Sequence, residues 1–270
     1  MTDTLRKRVL TGVVLAALLL AVLLWLPAWV TVAVVTLLVL CGAWEWSAFA
    51  LLATNGLRLA YVGLVAGLMW AAWQLSARPQ VRDLLLTVAV LWWLTALAWI
   101  VLAPRRVSAW SAALAGLLAL VPSWLAVVRL RLSQPHGAQW VLFALVLVWV
   151  ADIGAFFCGR RFGRTRLAPE VSPGKTWEGV LGGLTVSAVV AIAGSQWFQI
   201  SVAAFLPLCL AAVGFSVVGD LTESLLKRFA GMKDSGNILP GHGGVMDRID
   251  SITGAAPVLL LGLTLLGVVA

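Results

Sequence analysis

The chain has 270 residues, 62% hydrophobic and 11% charged, with mean hydropathy +1.02 and a formal net charge of +8. Soluble domains carry about 25% charged residues, and apolar runs of about 20 residues mark bilayer spans. The composition therefore excludes a water-soluble domain and predicts an all-α, polytopic bundle forming one integral membrane domain over 1–270. The runs lack the period-two alternation of a membrane barrel. Basic loops at one membrane face account for the net charge, so no nucleic-acid partner is expected.

In chain order, punctuation by Pro, Gly and charge predicts nine spans: 9–26, 28–52, 59–76, 84–102, 108–128, 139–157, 177–195, 200–220 and 251–269. The N-terminus resembles a signal peptide, with Arg6, Lys7 and Arg8 ahead of an apolar core. No small-residue cleavage site closes it, and an uncleaved first span is expected. Only Leu26-Pro27-Ala28 divides the first two spans. Cys41, Cys158 and Cys209 are scattered singly, without metal spacing or a disulfide framework.

In alternate loops, one side holds 15 of the 19 basic residues, from Arg6 to Arg248. The other side keeps Arg78, Arg82, Arg129 and Arg131. The positive-inside rule then predicts a cytoplasmic N-terminus, and nine spans put the C-terminus outside. Glu45, Asp152 and Glu178 lie in or at the inner ends of spans, where a charge costs about 2.5–3.5 kcal/mol, so they should face protein or water. Glu45 reads as structural or as lining a cavity. Asp152 could face a metal or nucleotide, or pair with a nearby arginine.

Charge is concentrated between Asp220 and Asp250, where 31 residues hold five acids and four bases. Asp220, Glu223, Asp234, Asp247 and Asp250 are hard oxygen donors suited to Mg²⁺ or Ca²⁺. Lys227, Arg228, Lys233 and Arg248 are suited to phosphate oxygens. Gly231, Gly236, Gly241, Gly243 and Gly244 let backbone amides approach an anion. His242 sits among these glycines as a possible phosphate or metal contact. Asp220/Glu223 and Asp247/Asp250 share i,i+3 spacing, so two helix ends could converge carboxylates on one ion. The plainer alternative is a solvated loop with Glu223–Lys227 as an i,i+4 pair.

Upstream, Ser172-Pro173-Gly174-Lys175-Thr176 suggests a P-loop, but Pro169 occupies the position of its first glycine and no strand is expected before it. What remains is a Gly-Lys-Thr turn opening the seventh span, where helix amides and Lys175 could hold phosphate. No Ser-His-Asp pattern, Cys nucleophile or HExxH occurs. The chemistry expected is metal-assisted phosphoryl or nucleotidyl transfer at the membrane surface.

The segment from Ser224 to Asp250, with Leu226-Lys227-Arg228, Lys233-Asp234-x-Gly236, Leu239-Pro240-x-His242-Gly243-Gly244 and Asp247-Arg248-Ile249-Asp250, resembles the signature of the phosphatidate cytidylyltransferase (CDP-diacylglycerol synthase) family. Ser172–Gly179 and Val218–Ser224 also look like family segments. The resemblance is strong over 150–257, the expected catalytic region, and rests on hydropathy alone over 1–140. It implies transfer of CMP from CTP to phosphatidic acid, giving CDP-diacylglycerol and pyrophosphate, by an inner-membrane homodimer with a cytoplasm-facing site. It further implies Mg²⁺ with K⁺ sharing the site. The metal ligands expected are Asp220, Asp247 and Asp234. Catalytic roles are expected for Asp220, Asp247, Lys227 and Arg248, and substrate contacts for Ser172, Lys175, Arg228, Lys233, His242, Gly243, Gly244 and Asp250. Two other readings are a CTP-dependent lipid or polyprenol kinase and a secondary transporter; the transporter would need midplane charges and related halves, which the sequence lacks.

Overall fold

Hydrocarbon offers the backbone no hydrogen-bond partner, so each apolar run must satisfy itself as a helix. The computed structural model of the protein describes residue 14 and residues 17–238 and 243–269. Among the described residues, eight helices are long and apolar enough to cross a membrane. They are α1 (Ala28–Phe49), α2 (Asn55–Leu75), α3 (Pro79–Leu102), α4 (Ala109–Leu132), α5 (Gly137–Phe162), α6 (Trp177–Trp197), α7 (Val202–Phe229) and α8 (Met246–Leu265). Residues 17–25 are helical too, and the start of the predicted first span lies outside the described residues. Helices of 20 to 28 residues, rising about 1.5 Å per residue, match or exceed a hydrocarbon core of about 30 Å.

Two boundaries differ from the hydropathy reading in a way that matters. Helix α7 runs on to Phe229 instead of ending at 220, and α8 begins at Met246 instead of 251. Charge ends a hydropathy run, but Leu221, Leu225 and Leu226 stay buried on one face of α7, and Met246 is buried at the start of α8. Packing therefore carries both helices through the charged stretch. The other difference is a small antiparallel hairpin of β1 (Arg166–Ala168) and β2 (Ser172–Thr176), with Arg166 opposite Thr176 and Ala168 opposite Ser172. The expected Gly-Lys-Thr turn is thus a strand. It is closed by Trp177 N–H donating to the Thr165 carbonyl (3.0 Å) and by Thr165 N–H donating to the Glu178 carboxylate (3.1 and 3.2 Å).

Helix α8 occupies the centre, against α1, α3, α4, α5 and α7. In the apolar stretches of α4 and α8, 61% and 56% of residues are buried, against 22% in α2, so α2 belongs to the lipid-facing rim. Exposed tryptophans mark the helix ends: Trp29 and Trp197 at one end of the bundle, Trp110 and Trp177 at the other. Aromatic residues collect at both membrane–water interfaces in this way.

Small residues set the closest helix approaches, as expected where lipid is as apolar as any side chain. On α5, Ala151, Gly154 and Gly159 face Gly179, Gly182 and Gly183 of α6. On α7, Phe215 and Gly219 meet Asp250 and Gly254 of α8, and a Cβ on Gly254 would overlap the Phe215 carbonyl. Gly254→Val is therefore expected to separate α7 from α8, lowering both the thermal midpoint in detergent and the activity. Unchanged values would show that the crossing tolerates a side chain.

Candidate active site

The α7–α8 crossing places the acidic ends of two helices side by side. Lys227 of α7 bridges them, its ammonium 2.7 Å from Asp247 Oδ1 and 3.3 Å from Glu223 Oε2. The Glu223 side chain is fully buried, and those of Lys227 and Asp247 are only 13% and 8% exposed. This is not the solvated i,i+4 pair of the plainer alternative. Breaking such a buried pair from one side costs about 3–5 kcal/mol, because a charge is left uncompensated. Asp250, one turn along α8, lies within electrostatic range of Glu223 and Asp220.

A second pair adjoins the first. Lys175, near the end of β2, makes an ion pair with Asp220 Oδ2, and both side chains are about one quarter exposed, open to a ligand. The hairpin fixes where Lys175 stands: Thr176 follows it and caps α6, its hydroxyl accepting from Gly179 N–H at 3.1 Å. The charges acting on Asp152 of α5 are Asp220 and Lys175, rather than the arginines at the end of its own helix.

The loop between α7 and α8 is held from below by α1. Glu45 is buried, and its carboxylate accepts from Ser235 Oγ (2.9 Å), Val245 N–H (3.0 Å) and Met246 N–H (2.8 Å). It thereby caps the N-terminus of α8 from another helix, where a negative charge is favoured by the unsatisfied amides and the macrodipole. Asp247 Oδ2 gathers Ser235 N–H (2.9 Å), Ser235 Oγ (3.0 Å) and Gly244 N–H (2.8 Å). Gly243 has φ +82°, a region favouring glycine, and a Cβ on Gly244 would overlap Ser235 Oγ and the Glu45 carboxylate. Beside this frame lies a cavity of about 520 Å³ lined by Trp44, Glu45, Leu52, Arg58, Ser235 and Ile238, among others.

Of the residues singled out from sequence, Asp220, Asp247, Lys227, Lys175, Asp250, Gly243 and Gly244 come together. Arg228 does not: it is exposed on another side of α7, lining a cavity of about 400 Å³ with Arg105 and Glu170. Lys233 and Asp234 are exposed on the loop, and among the described residues neither pairs with the cluster. Ser172 is half-buried at the far end of β2 from Lys175, and Arg248 is exposed on the first turn of α8. His242 lies outside the described residues. Sequence reasoning missed Ser235, and gave Glu45 no partner. A signal existed for Glu45: an acid inside an apolar helix, with no base near it in sequence, needs donors from elsewhere.

The donor set fits a hard cation. Four carboxylates, Asp220, Glu223, Asp247 and Asp250, line the facing ends of α7 and α8, and the buried Glu223 carboxyl faces both the Lys227 ammonium, 3.3 Å from Oε2, and Asp250. Among the described residues, no three ligating side chains already form a closed cage. The site therefore suits an ion that completes its shell with substrate phosphate and water, as Mg²⁺ commonly does.

The model of the cytidylyltransferase family matches residues 6–266. The phosphatidate cytidylyltransferase of Pseudomonas aeruginosa is 42% identical over 261 residues, covering 94% of this chain and 95% of that protein. The phosphatidate cytidylyltransferase of Haemophilus influenzae is 39% identical over 279 residues, covering 94% and 96%. That of Bacillus subtilis is 40% identical over 141 residues, about half of each chain. With one family pattern running through nearly all its spans and through the paired acids of α7 and α8, the chain belongs to the cytidylyltransferase family.

Proposed function

We propose that this chain transfers CMP from CTP to phosphatidic acid, releasing pyrophosphate and leaving CDP-diacylglycerol in the membrane. The observation that carries this reading is the pair of lysine–carboxylate clusters, Lys227 with Glu223 and Asp247 and Lys175 with Asp220, set at one end of a membrane bundle. A phosphate oxygen of the lipid attacks the α-phosphorus of CTP. The bond from that phosphorus to the bridging oxygen breaks, and its electron pair leaves with pyrophosphate. Both reactants bring their own phosphates, so the protein needs no nucleophile.

The protein's own groups hold and neutralise. Lys175 exchanges Asp220 for a substrate phosphate oxygen, and Lys227 offsets charge that grows on the leaving pyrophosphate. Gly243 and Gly244 keep the loop close to Asp247, and Arg248 stands at the mouth. Asp220 and Asp247 would hold Mg²⁺, with Asp250 beside them and K⁺ sharing the acids; Asp234, exposed on the loop, would meet the ion as it approaches. When bound, Mg²⁺ supplies positive charge and Lewis acidity to the triphosphate. The working unit is a homodimer in the inner membrane, as the family resemblance implies.

The decisive assay incubates detergent-solubilised protein with radiolabelled CTP and phosphatidic acid, with and without Mg²⁺. Labelled CDP-lipid and pyrophosphate are expected only with the metal. Release of CDP with a phosphorylated lipid would instead identify a kinase. Lys175→Ala is expected to lower kcat/KM by roughly ten- to a hundredfold, the worth of a charge-assisted hydrogen bond of about 1.5–3 kcal/mol. Wild-type kinetics would return Lys175 to a purely topogenic role.

The site faces the cytoplasm. The loops flanking it and the neighbouring helix ends hold Arg58, Arg105, Arg106, Arg160, Arg161, Arg164 and Arg166 besides the site lysines, which favours that side. A reporter fused after Ala168 should read cytoplasm and one at Ala270 the exterior. Both on one side would mean an odd span is missing between them.

A further inference from the structure

The four bases on the face opposite the site are not needed by the chemistry, and two of them, Arg129 and Arg131, lie next to residues lining an apolar groove. The groove, of about 300 Å³, runs along α4 between α1 and α2, with Val32 and Leu40 on one wall, Met69 and Trp73 on the other, and Val128 and Leu132 as its floor. Trp46 Nε1 donates to the Ala112 carbonyl, which places the start of α4 beside the active-site end of α1. Arg129 is 17 residues further on, about 25 Å along the helix. The groove therefore opens toward the other leaflet.

Two arginines adjoin its lining at that end, Arg129 against Trp73 and Arg131 beside Leu132. Arg129 lies over the Trp73 ring, its guanidinium carbon 4.5 Å from the centroid, and donates from Nη2 to Ser76 Oγ at 2.6 Å, tying α4 to α2. Its Nε is buried and has no hydrogen-bond partner among the described residues. Arg131 turns the other way, donating from Nε to Thr31 Oγ1 of α1 at 3.2 Å and from Nη2 to the Leu26 carbonyl at 3.4 Å. Among the described residues, neither has a carboxylate: Asp83, the acid on this face, is taken by Arg82 at 3.0 Å. Two guanidinium groups over an apolar slot, one with an unsatisfied donor, complement a phosphodiester with an acyl chain beneath it.

We infer that the α1–α2–α4 groove is a binding site for an anionic phospholipid of the leaflet opposite the active site, with the headgroup between Arg129 and Arg131 and one acyl chain against Val128 and Leu132. The site is separate from the one that binds substrate. Lipid there ties the rim helix α2 to α1 and α4 by filling the gap between them, so the expected readout is stability.

The test is thermal unfolding of the full-length protein in detergent, with added phosphatidylglycerol, phosphatidylcholine of the same acyl chains, or inorganic phosphate. Phosphatidylglycerol is expected to raise the midpoint by several degrees more than phosphatidylcholine, and inorganic phosphate to leave it unchanged. The difference should vanish in Arg129→Gln/Arg131→Gln. It should also vanish in Ala66→Phe, which narrows the groove and leaves both arginines, so the question is decided even if the double variant does not fold. Arg106→Gln, at the other end of the bundle, should keep it. Equal shifts with both lipids in the wild type, or a preference that survives either groove variant, would overturn the assignment. A shift with inorganic phosphate alone would reduce it to an anion site.

Discussion

Asp220→Asn and Asp247→Asn are each expected to lower turnover by about a hundredfold or more, while expression and membrane insertion persist. Asn keeps the size of the side chain and one acceptor oxygen but removes the charge that offsets a cation. Electrostatic stabilisation of a transferring phosphoryl group is worth several kcal/mol. The structure adds different side effects for the two. Asp220→Asn releases Lys175 and loosens the Ser224 hydroxyl, 3.5 Å from Oδ1, whereas Asp247→Asn weakens an acceptor shared by Ser235 and Gly244 and leaves Lys227 with only Glu223. The double variant should be little worse than either single one, since groups acting as a unit are not additive. Asp234→Asn, on the exposed loop, is the comparison and should lose far less. Near-normal Mg²⁺-dependent activity in both single variants would remove these acids from the metal site.

Glu45→Ala is expected to abolish activity and to lower stability by several kcal/mol, although Glu45 belongs to no catalytic motif. Its carboxylate accepts three hydrogen bonds from a buried loop and helix end, each worth about 1.5–3 kcal/mol when one partner is charged. Removing it orphans two backbone amides inside protein and leaves the Ser235 hydroxyl with Asp247 alone, and α8 loses its cap. Hydrogen exchange at Val245 and Met246 should then accelerate, whereas in Lys175→Ala it should not. Glu45→Gln, which retains one acceptor, should fall between. A wild-type midpoint and turnover in Glu45→Ala would mean the cap is dispensable.

Much of this was legible from residues alone, and the reasons differ by element. The spans could be read because lipid leaves a long apolar segment one conformation. The acids of α7 and α8 could be read because nine charges in 31 residues have no place in such a chain unless something uses them. Hydropathy could not give the true ends of α7 and α8: a helix follows its buried face, and Leu221, Leu225, Leu226 and Met246 continue that face past the first charge. The hairpin was hidden because its strands have only three and five residues, one of them carrying Pro and Gly, which read as a turn. Partners far apart in sequence, such as Glu45 with Val245, were invisible because nothing local announces them. Arg228 shows the converse: a motif fixes which residues stand near one another in the chain, but helix rotation decides which way each one faces.

The cap on α8 also sets an order on the making of the enzyme. Glu45 enters the membrane with α1, when the residues that will donate to it, Ser235, Val245 and Met246, are still about 190 to 200 residues from being synthesised. Through that interval the side chain must keep contact with water, because an unpaired polar group in hydrocarbon is too costly to hold. It becomes buried and fully hydrogen-bonded only when α8 arrives. The same event brings Asp247 to Lys227 and closes the acid cluster. A nascent chain thus carries no working site before α8 has been made and packed.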